Sequence, residues 1–133
     1  MDYKKSLEIV EKALTELKEE NNNFPIIVEG EKDIQALKKL GFVGEILSLN
    51  AGVSIIDFCD NLSKQYKKII ILTDWDRKGG QLGHMIKRNL SGRIKCSLYY
   101  REIFAKNTVV KTVEGLPSWL EKIKEKIFLN EKI

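Results

Sequence analysis

The residues best suited to do chemistry are acids that stand at the ends of apolar runs. In "IIILTDWDRKGG", residues 69–80, an aliphatic run leads into Asp74 and Asp76, and "PIIVEG" delivers Glu29 in the same way. Side chains alternate along extended backbone, so Asp74 and Asp76 are expected on one side and Trp75 on the other. Three carboxylates brought together would repel one another unless a cation neutralised them. Oxygen ligands of this kind suit Mg²⁺ or Mn²⁺.

Glycines and basic residues follow these acids in the sequence, and they predict that the site also binds phosphate. Six of them stand within four positions after an acid: Gly30, Lys32, Arg77, Lys78, Gly79 and Gly80. Glycine lets backbone N–H groups approach an anion at a helix start, Arg binds phosphate in bidentate fashion, and Lys acts as a point charge. We expect Gly30, Gly79 and the three cations to contact a phosphate group held at the metal.

Other polar residues near these motifs are interpreted as structural. Asp33 is expected to be an exposed residue in the first turn of a helix, stabilised by the helix dipole. His84 falls within a helix, and Trp75 is expected to pack under the acidic loop rather than stack on a base. Glu114, in "KTVEGLP", repeats the V-E-G triplet of residues 28–30 and is taken as a coincidence or a loop carboxylate.

Apolar periodicity predicts helices that alternate with short strands. An amphipathic repeat indicates a helix over 3–20 with Asp2 as its cap, and a similar repeat indicates a final helix over about 117–129. The segments "PIIVEG", "EILSLN", "KKIIILTD" and "RIKCSLYY" predict four strands, the last at an edge with Tyr99 and Tyr100 on it. The helix after the third strand is predicted to bury Leu82, Met85, Ile86 and Leu90.

This alternation predicts an α/β domain over residues 1–133. Strands separated by helices imply right-handed βαβ units, and hence a parallel sheet with helices on both faces. The unbroken apolar run before Asp74 is typical of a central strand that is covered on both sides. In such sheets the functional crevice lies beyond the carboxyl ends of the strands, where Glu29, Asp74 and Asp76 are expected.

Composition narrows the functional classes. No apolar run is long enough to cross a bilayer, so we expect a cytoplasmic protein that makes no membrane contact. Cys59 and Cys96 lack metal or disulfide spacing and are expected to be free thiols. Residues 64–111 contain twelve basic and three acidic residues, which gives this segment a charge of +9. Because the net charge of the whole chain is +4, the remaining residues sum to −5. A basic segment centred on a carboxylate pair suits a polyanionic substrate held by a metal, although a solvated lysine-rich surface would look similar.

Several familiar motifs are excluded. A calcium loop that started at Asp74 would need Glu at its twelfth position, which is Met85. A haloacid-dehalogenase-type phosphatase would carry its D-x-D on the first strand, whereas this pair follows the third. The sequence has no Walker A loop and no GxGxxG, and its single histidine suggests no Ser-His-acid set.

The paired motifs resemble those of the Toprim (topoisomerase-primase) domain, in particular the small stand-alone Toprim proteins of archaea and some bacteria. The resemblance rests on "IIVEGEKDIQAL" with Glu29 and "ILTDWDRKG" with Asp74 and Asp76, and it spans about residues 24–98. It implies a Rossmann-like sheet of four parallel strands, with Glu29 as general acid or base and metal partner and the D-x-D pair as Mg²⁺ ligands. Members of this family make, break or rejoin phosphodiester bonds, as primases, topoisomerases and nucleases do.

The sequence departs from the larger members of that family. Topoisomerases take their nucleophilic tyrosine from another domain, and Tyr99 and Tyr100 do not match it. The leading hypothesis is therefore a minimal Mg²⁺-dependent nuclease or nucleotidyl transferase acting on RNA or DNA, with a protein partner left open. The alternatives are a non-catalytic module that binds metal and nucleic acid beside such a partner, and a structural dimerising domain.

Overall fold

A four-stranded parallel sheet forms the centre of the computed structural model, which describes residues 2–49 and 52–132. In chain order the elements are α1 (Tyr3–Asn21), β1 (Ile26–Val28), α2 (Glu31–Lys39), β2 (Ile46–Ser48), α3 (Ile55–Gln65), β3 (Lys68–Ile71), α4 (Arg77–Leu90), β4 (Lys95–Ser97), α5 (Tyr99–Asn107) and α6 (Leu116–Lys132). The predicted α/β class with four parallel strands is confirmed. Helix α1 is capped as expected, because the Asp2 carboxylate accepts a hydrogen bond from the Lys5 N–H at 3.2 Å.

The strand order β2-β1-β3-β4 makes β1 and β3 adjacent interior strands. Ile26 of β1 pairs with Ile46 of β2 on one side and with Ile70 of β3 on the other. The chain builds β2 on one side of β1 and later places β3 on the opposite side, so the strand order reverses between β1 and β3. Ligand crevices in open parallel sheets lie at this reversal, beyond the carboxyl ends of the strands.

The aliphatic runs of β1 and β3 are buried on both faces, as their lack of polar alternation predicts. One layer contains Ile26, Val28, Ile70 and Leu72, and the other contains Ile27, Ile69 and Ile71. Helices α1, α2, α5 and α6 cover the first layer, while α3 and α4 cover the second. Each fully buried side chain of this size contributes about 1.5–3 kcal/mol, so the two strands form a rigid base for the residues that follow them.

Two local predictions are wrong. Of the four residues expected on the buried face of α4, Leu82 is only half-buried and Met85 is 37% exposed, because the inward positions of this helix are Gly79, Gly83, Ile86 and Leu90. Gly83 allows close contact with the sheet, since an added Cβ would lie 3.0 Å from the Thr73 Oγ1.

Tyr99 and Tyr100 were predicted on the edge strand but begin α5. Pairing of β4 with β3 ends at Ser97, and the chain then turns into a helix. The Tyr100 ring is buried in the larger core layer, where its hydroxyl donates a hydrogen bond to the Glu20 carboxylate. Among the described residues, no helix is long and apolar enough to span a membrane.

Candidate metal and phosphate site

The acids that follow β1 and β3 meet at the carboxyl edge of the sheet. Glu29 comes directly after β1, and its Oε2 accepts a hydrogen bond from the backbone N–H of Asp74 at 2.8 Å. The two residues are 45 positions apart in the chain. Their contact follows from the parallel pairing of β1 with β3, which brings both strand ends to one rim.

Asp74 is the most strongly perturbed acid at this rim. Burial raises the pKa of its carboxyl from 3.8 to about 6, and the charges of Asp33, Glu29 and Asp76 add to the increase. A hydrogen bond from the Val113 N–H to Asp74 Oδ1, at 2.9 Å, acts in the opposite direction. Neighbouring anions oppose ionisation here, so a cation at this rim would stabilise the ionised carboxylate.

Asp76 ends the acidic loop and caps α4. Its Oδ1 accepts a hydrogen bond from the Gly79 N–H at 2.7 Å. Gly79 packs against the loop so closely that an added Cβ would lie 1.8 Å from the Asp74 carbonyl oxygen. Only glycine fits at position 79 without a shift of the backbone that carries both aspartates.

The donor chemistry of these acids fits a hard divalent cation. In Glu29, Asp74 and Asp76, one carboxylate oxygen accepts a backbone hydrogen bond and the other accepts none from the described residues. Within residues 2–49 and 52–132, however, no three His, Cys, Asp or Glu side chains are arranged as a ready metal-binding group. Mg²⁺ commonly uses only one or two carboxylates and completes its shell with water and phosphate, so a smaller ligand set suffices.

The basic residues predicted to bind phosphate flank this rim. Lys32 lies in the first turn of α2, and Arg77 and Lys78 open α4; all three are exposed, and none forms an ion pair within the described part of the chain. The amide hydrogens of the two predicted glycines are already engaged. Gly30 donates to the Asp33 carboxylate at 3.1 Å and Gly79 to Asp76, so a phosphate would have to compete with these carboxylates.

Asp33 belongs to the acidic rim, and its predicted exposure is wrong. The residue is 7% exposed, because its carboxylate folds back over the first turn of α2 to accept the Gly30 N–H. Burial raises the pKa of Asp33, and the charge of Glu114 raises it further. Glu114 itself is exposed on the loop between α5 and α6.

Trp75 packs under the acidic loop, as the sequence indicated. Its ring lies 5.6 Å from the Phe104 ring between centroids, and its Nε1 donates a hydrogen bond to the Val110 carbonyl at 2.6 Å. Its backbone N–H also donates to the Lys111 carbonyl at 2.9 Å. The loop between α5 and α6 therefore supports the acidic loop from outside. His84 is exposed on α4.

Arg101 is a residue of this site that the sequence analysis missed. It lies in the first turn of α5, and its guanidinium donates hydrogen bonds to the carbonyls of Thr73, Asp74 and Asp76. One signal could have found it. Arg101 follows the carboxyl end of β4, and in a parallel sheet that end shares an edge with the ends of β1 and β3.

Comparison with known proteins agrees with this geometry. A family model described as Toprim domain matches residues 24–116. A UPF0292 protein of Thermoplasma volcanium is 42% identical over 107 residues, which cover 80% of this chain and 90% of that protein. A UPF0292 protein of Methanocaldococcus jannaschii is 38% identical, with 90% and 93% covered. A solved structure, titled a putative protein from Aquifex aeolicus, superposes with a TM-score of 0.69 at 26% identity and covers 78% of this chain and 94% of that one.

Proposed function

Because the chain belongs to the Toprim domain family, a metal-binding module related to nucleic acid metabolism, we propose that it performs Mg²⁺-dependent phosphodiester chemistry on RNA or DNA. The reaction is hydrolysis of a strand or nucleotidyl transfer, carried out in the cytoplasm by a minimal catalytic core within a single domain over residues 1–133. The observation that carries this proposal is the contact between Glu29 and Asp74 at the reversal of the strand order.

Each acidic residue has a separate role in this proposal. Asp74 and Asp76 would hold Mg²⁺ or Mn²⁺, and Glu29 would share it. When bound, the ion would neutralise charge that develops on the scissile phosphate. The Glu29 oxygen that accepts no hydrogen bond within the described chain would exchange a proton with the attacking or leaving oxygen.

The three exposed cations would orient the phosphate. Lys32, Arg77 and Lys78 lie on the first turns of the two helices that follow the acidic strand ends. Since they form no ion pairs with the described residues, no protein carboxylate has to be displaced before they bind a phosphate. The logarithm of the affinity for nucleic acid should fall linearly with the logarithm of the salt concentration. Lys32→Glu should reduce that slope, while Lys64→Glu, at an exposed position of α3, should not.

The proposal is tested by incubating pure protein with labelled single- and double-stranded RNA and DNA, with Mg²⁺, Mn²⁺ or EDTA. We expect cleavage or transfer that requires the metal and is abolished by Asp74→Asn. Asp57→Asn, which changes an exposed acid in the first turn of α3, serves as the matched control and should keep full activity. An Asp74→Asn variant that is folded and fully active would refute the assignment.

A second candidate function is a binding module whose chemistry is supplied by a partner protein. One observation favours it: each of the three acids is already hydrogen-bonded to backbone, and the described residues form no ready group of three metal ligands. This candidate predicts metal-dependent binding of nucleic acid without turnover on any of the four substrates. Turnover by the purified chain alone would exclude it.

A further inference from the structure

The Arg101 guanidinium donates hydrogen bonds to backbone carbonyls, although several carboxylates lie nearby. Its Nε donates to the carbonyl oxygens of Thr73 and Asp74, each at 3.1 Å, and its Nη2 donates to those of Asp74 at 2.7 Å and Asp76 at 3.4 Å. Arg101 forms no ion pair with a carboxylate in the described residues. The guanidinium therefore binds the backbone of the acidic loop and leaves the side chains of Asp74 and Asp76 uncovered.

The segment between β3 and α4 needs such a partner because it has no regular secondary structure. The carbonyls of Thr73 and Asp74 lie outside both the sheet ladder and the helix, so they require other donors, while the Asp76 carbonyl also accepts the Gly80 N–H at 3.0 Å. Guanidinium N–H groups point in fixed directions within one plane, and three carbonyls bound to one plane cannot move independently. The backbone positions of Asp74 and Asp76 are thereby fixed relative to each other.

We propose that Arg101 is a positioning residue that holds the acidic loop in the conformation that binds a divalent cation, without touching the cation or the substrate. The metal-dependent part of this inference rests on the function proposed above. The loop-holding part does not, because the hydrogen bonds join Arg101 to the Thr73 and Asp74 carbonyls and involve no metal.

Replacement of Arg101 distinguishes a positioning role from a simple charge effect, because the two predict opposite changes in Mg²⁺ affinity. Removal of a positive charge near a cation site should tighten Mg²⁺ binding by Coulomb's law. Loss of positioning should weaken it. We expect Arg101→Gln to weaken Mg²⁺ binding at least tenfold in calorimetric titration. Arg101→Lys, which restores the charge but not the planar donors, should remain weak.

Arg93 provides a matched control on the opposite layer. Its guanidinium donates to the Asp60 carboxylate at 2.8 Å and to the Ser63 hydroxyl at 2.7 Å, so Arg93→Gln also removes several arginine hydrogen bonds. That variant should bind Mg²⁺ as the parent does. Mg²⁺ binding by Arg101→Gln that equals or exceeds that of the parent would overturn the proposal.

A second measurement needs no metal and separates this proposal from the function of the site. The amide hydrogens of Gly79 and Val113 are donated to the Asp76 and Asp74 carboxylates. In the metal-free protein, we expect Arg101→Gln to accelerate hydrogen exchange at both amides at least tenfold, while Arg93→Gln leaves them unchanged. Unchanged exchange rates at these amides would refute the loop-holding role. If exchange is faster in Arg101→Gln but the parent protein binds no Mg²⁺, the loop-holding role stands and only the proposed function is contradicted.

Discussion

Asp74 makes the stability of the metal-free protein depend on pH. Burial raises the pKa of its carboxyl from 3.8 to about 6, so the folded protein binds this proton more tightly than the unfolded chain does. The stability that this group contributes is therefore fully present below about pH 3.8 and is lost as the pH rises through about 6. Asp74→Asn removes the ionisation and keeps an amide oxygen that can accept the Val113 N–H.

The size of the effect follows from the pKa. The difference between 3.8 and about 6 corresponds to at most about 3 kcal/mol, at about 1.4 kcal/mol per pH unit. Asp74 is only partly buried, and solvent screening reduces the expected value to about 1–2 kcal/mol. Relative to the parent, Asp74→Asn should gain this amount of unfolding free energy between pH 4 and pH 8.

Urea denaturation in EDTA at fixed ionic strength measures this gain. Groups that titrate alike in both proteins cancel in the difference between their unfolding free energies. Glu125→Gln, which changes an exposed acid on α6, should show no such trend. A difference between Asp74→Asn and the parent that stays constant from pH 4 to pH 8 would refute the reasoning.

Two further predictions concern the packing of the acidic loop. Gly79→Ala should lower the unfolding free energy by about 1–3 kcal/mol and weaken Mg²⁺ binding, because its Cβ would lie 1.8 Å from the Asp74 carbonyl oxygen. Gly80→Ala would place its Cβ 3.3 Å from the Arg101 Nη2, the end of a flexible side chain that can shift, so it should change both quantities less than Gly79→Ala does; equal effects of the two variants in denaturation and calorimetry would contradict this. Trp75→Phe should lower the unfolding free energy measured in urea by about 1–2 kcal/mol, because it leaves the Val110 carbonyl without the indole donor at 2.6 Å. A variant as stable as the parent would show that water replaces that bond.

The fold could be predicted from sequence because the relevant signals are local. The unbroken run of Ile69–Leu72 indicates a doubly covered strand, and the alternation of strands with helices indicates parallel pairing. Placement of acids at strand ends then locates the crevice without any knowledge of tertiary contacts. These rules bring Glu29 and Asp74 together only if β1 and β3 are neighbours, and the strand order of the structure supplies that adjacency.

The details of the site could not be predicted, because they depend on contacts between distant residues. Arg101 reaches a carbonyl 27 positions away, and the Val113 N–H reaches a carboxylate 39 positions away. Asp33 was misjudged for a different reason. A helix-start acid can face solvent or fold back to cap its own helix, and the surrounding packing rather than the residue type decides between the two.

The acids and the cations of this rim lie on different parts of the fold, and this difference affects which of them can be substituted during evolution. Glu29 and Asp74 follow the two strands buried on both sides, where a substitution that disturbs the strands is costly. Lys32, Arg77 and Lys78 project into solvent from the first turns of helices and can be exchanged with little penalty to folding. Substitution of these cations can therefore change the charge around the rim while the acids at the strand ends and the scaffold beneath them stay constant.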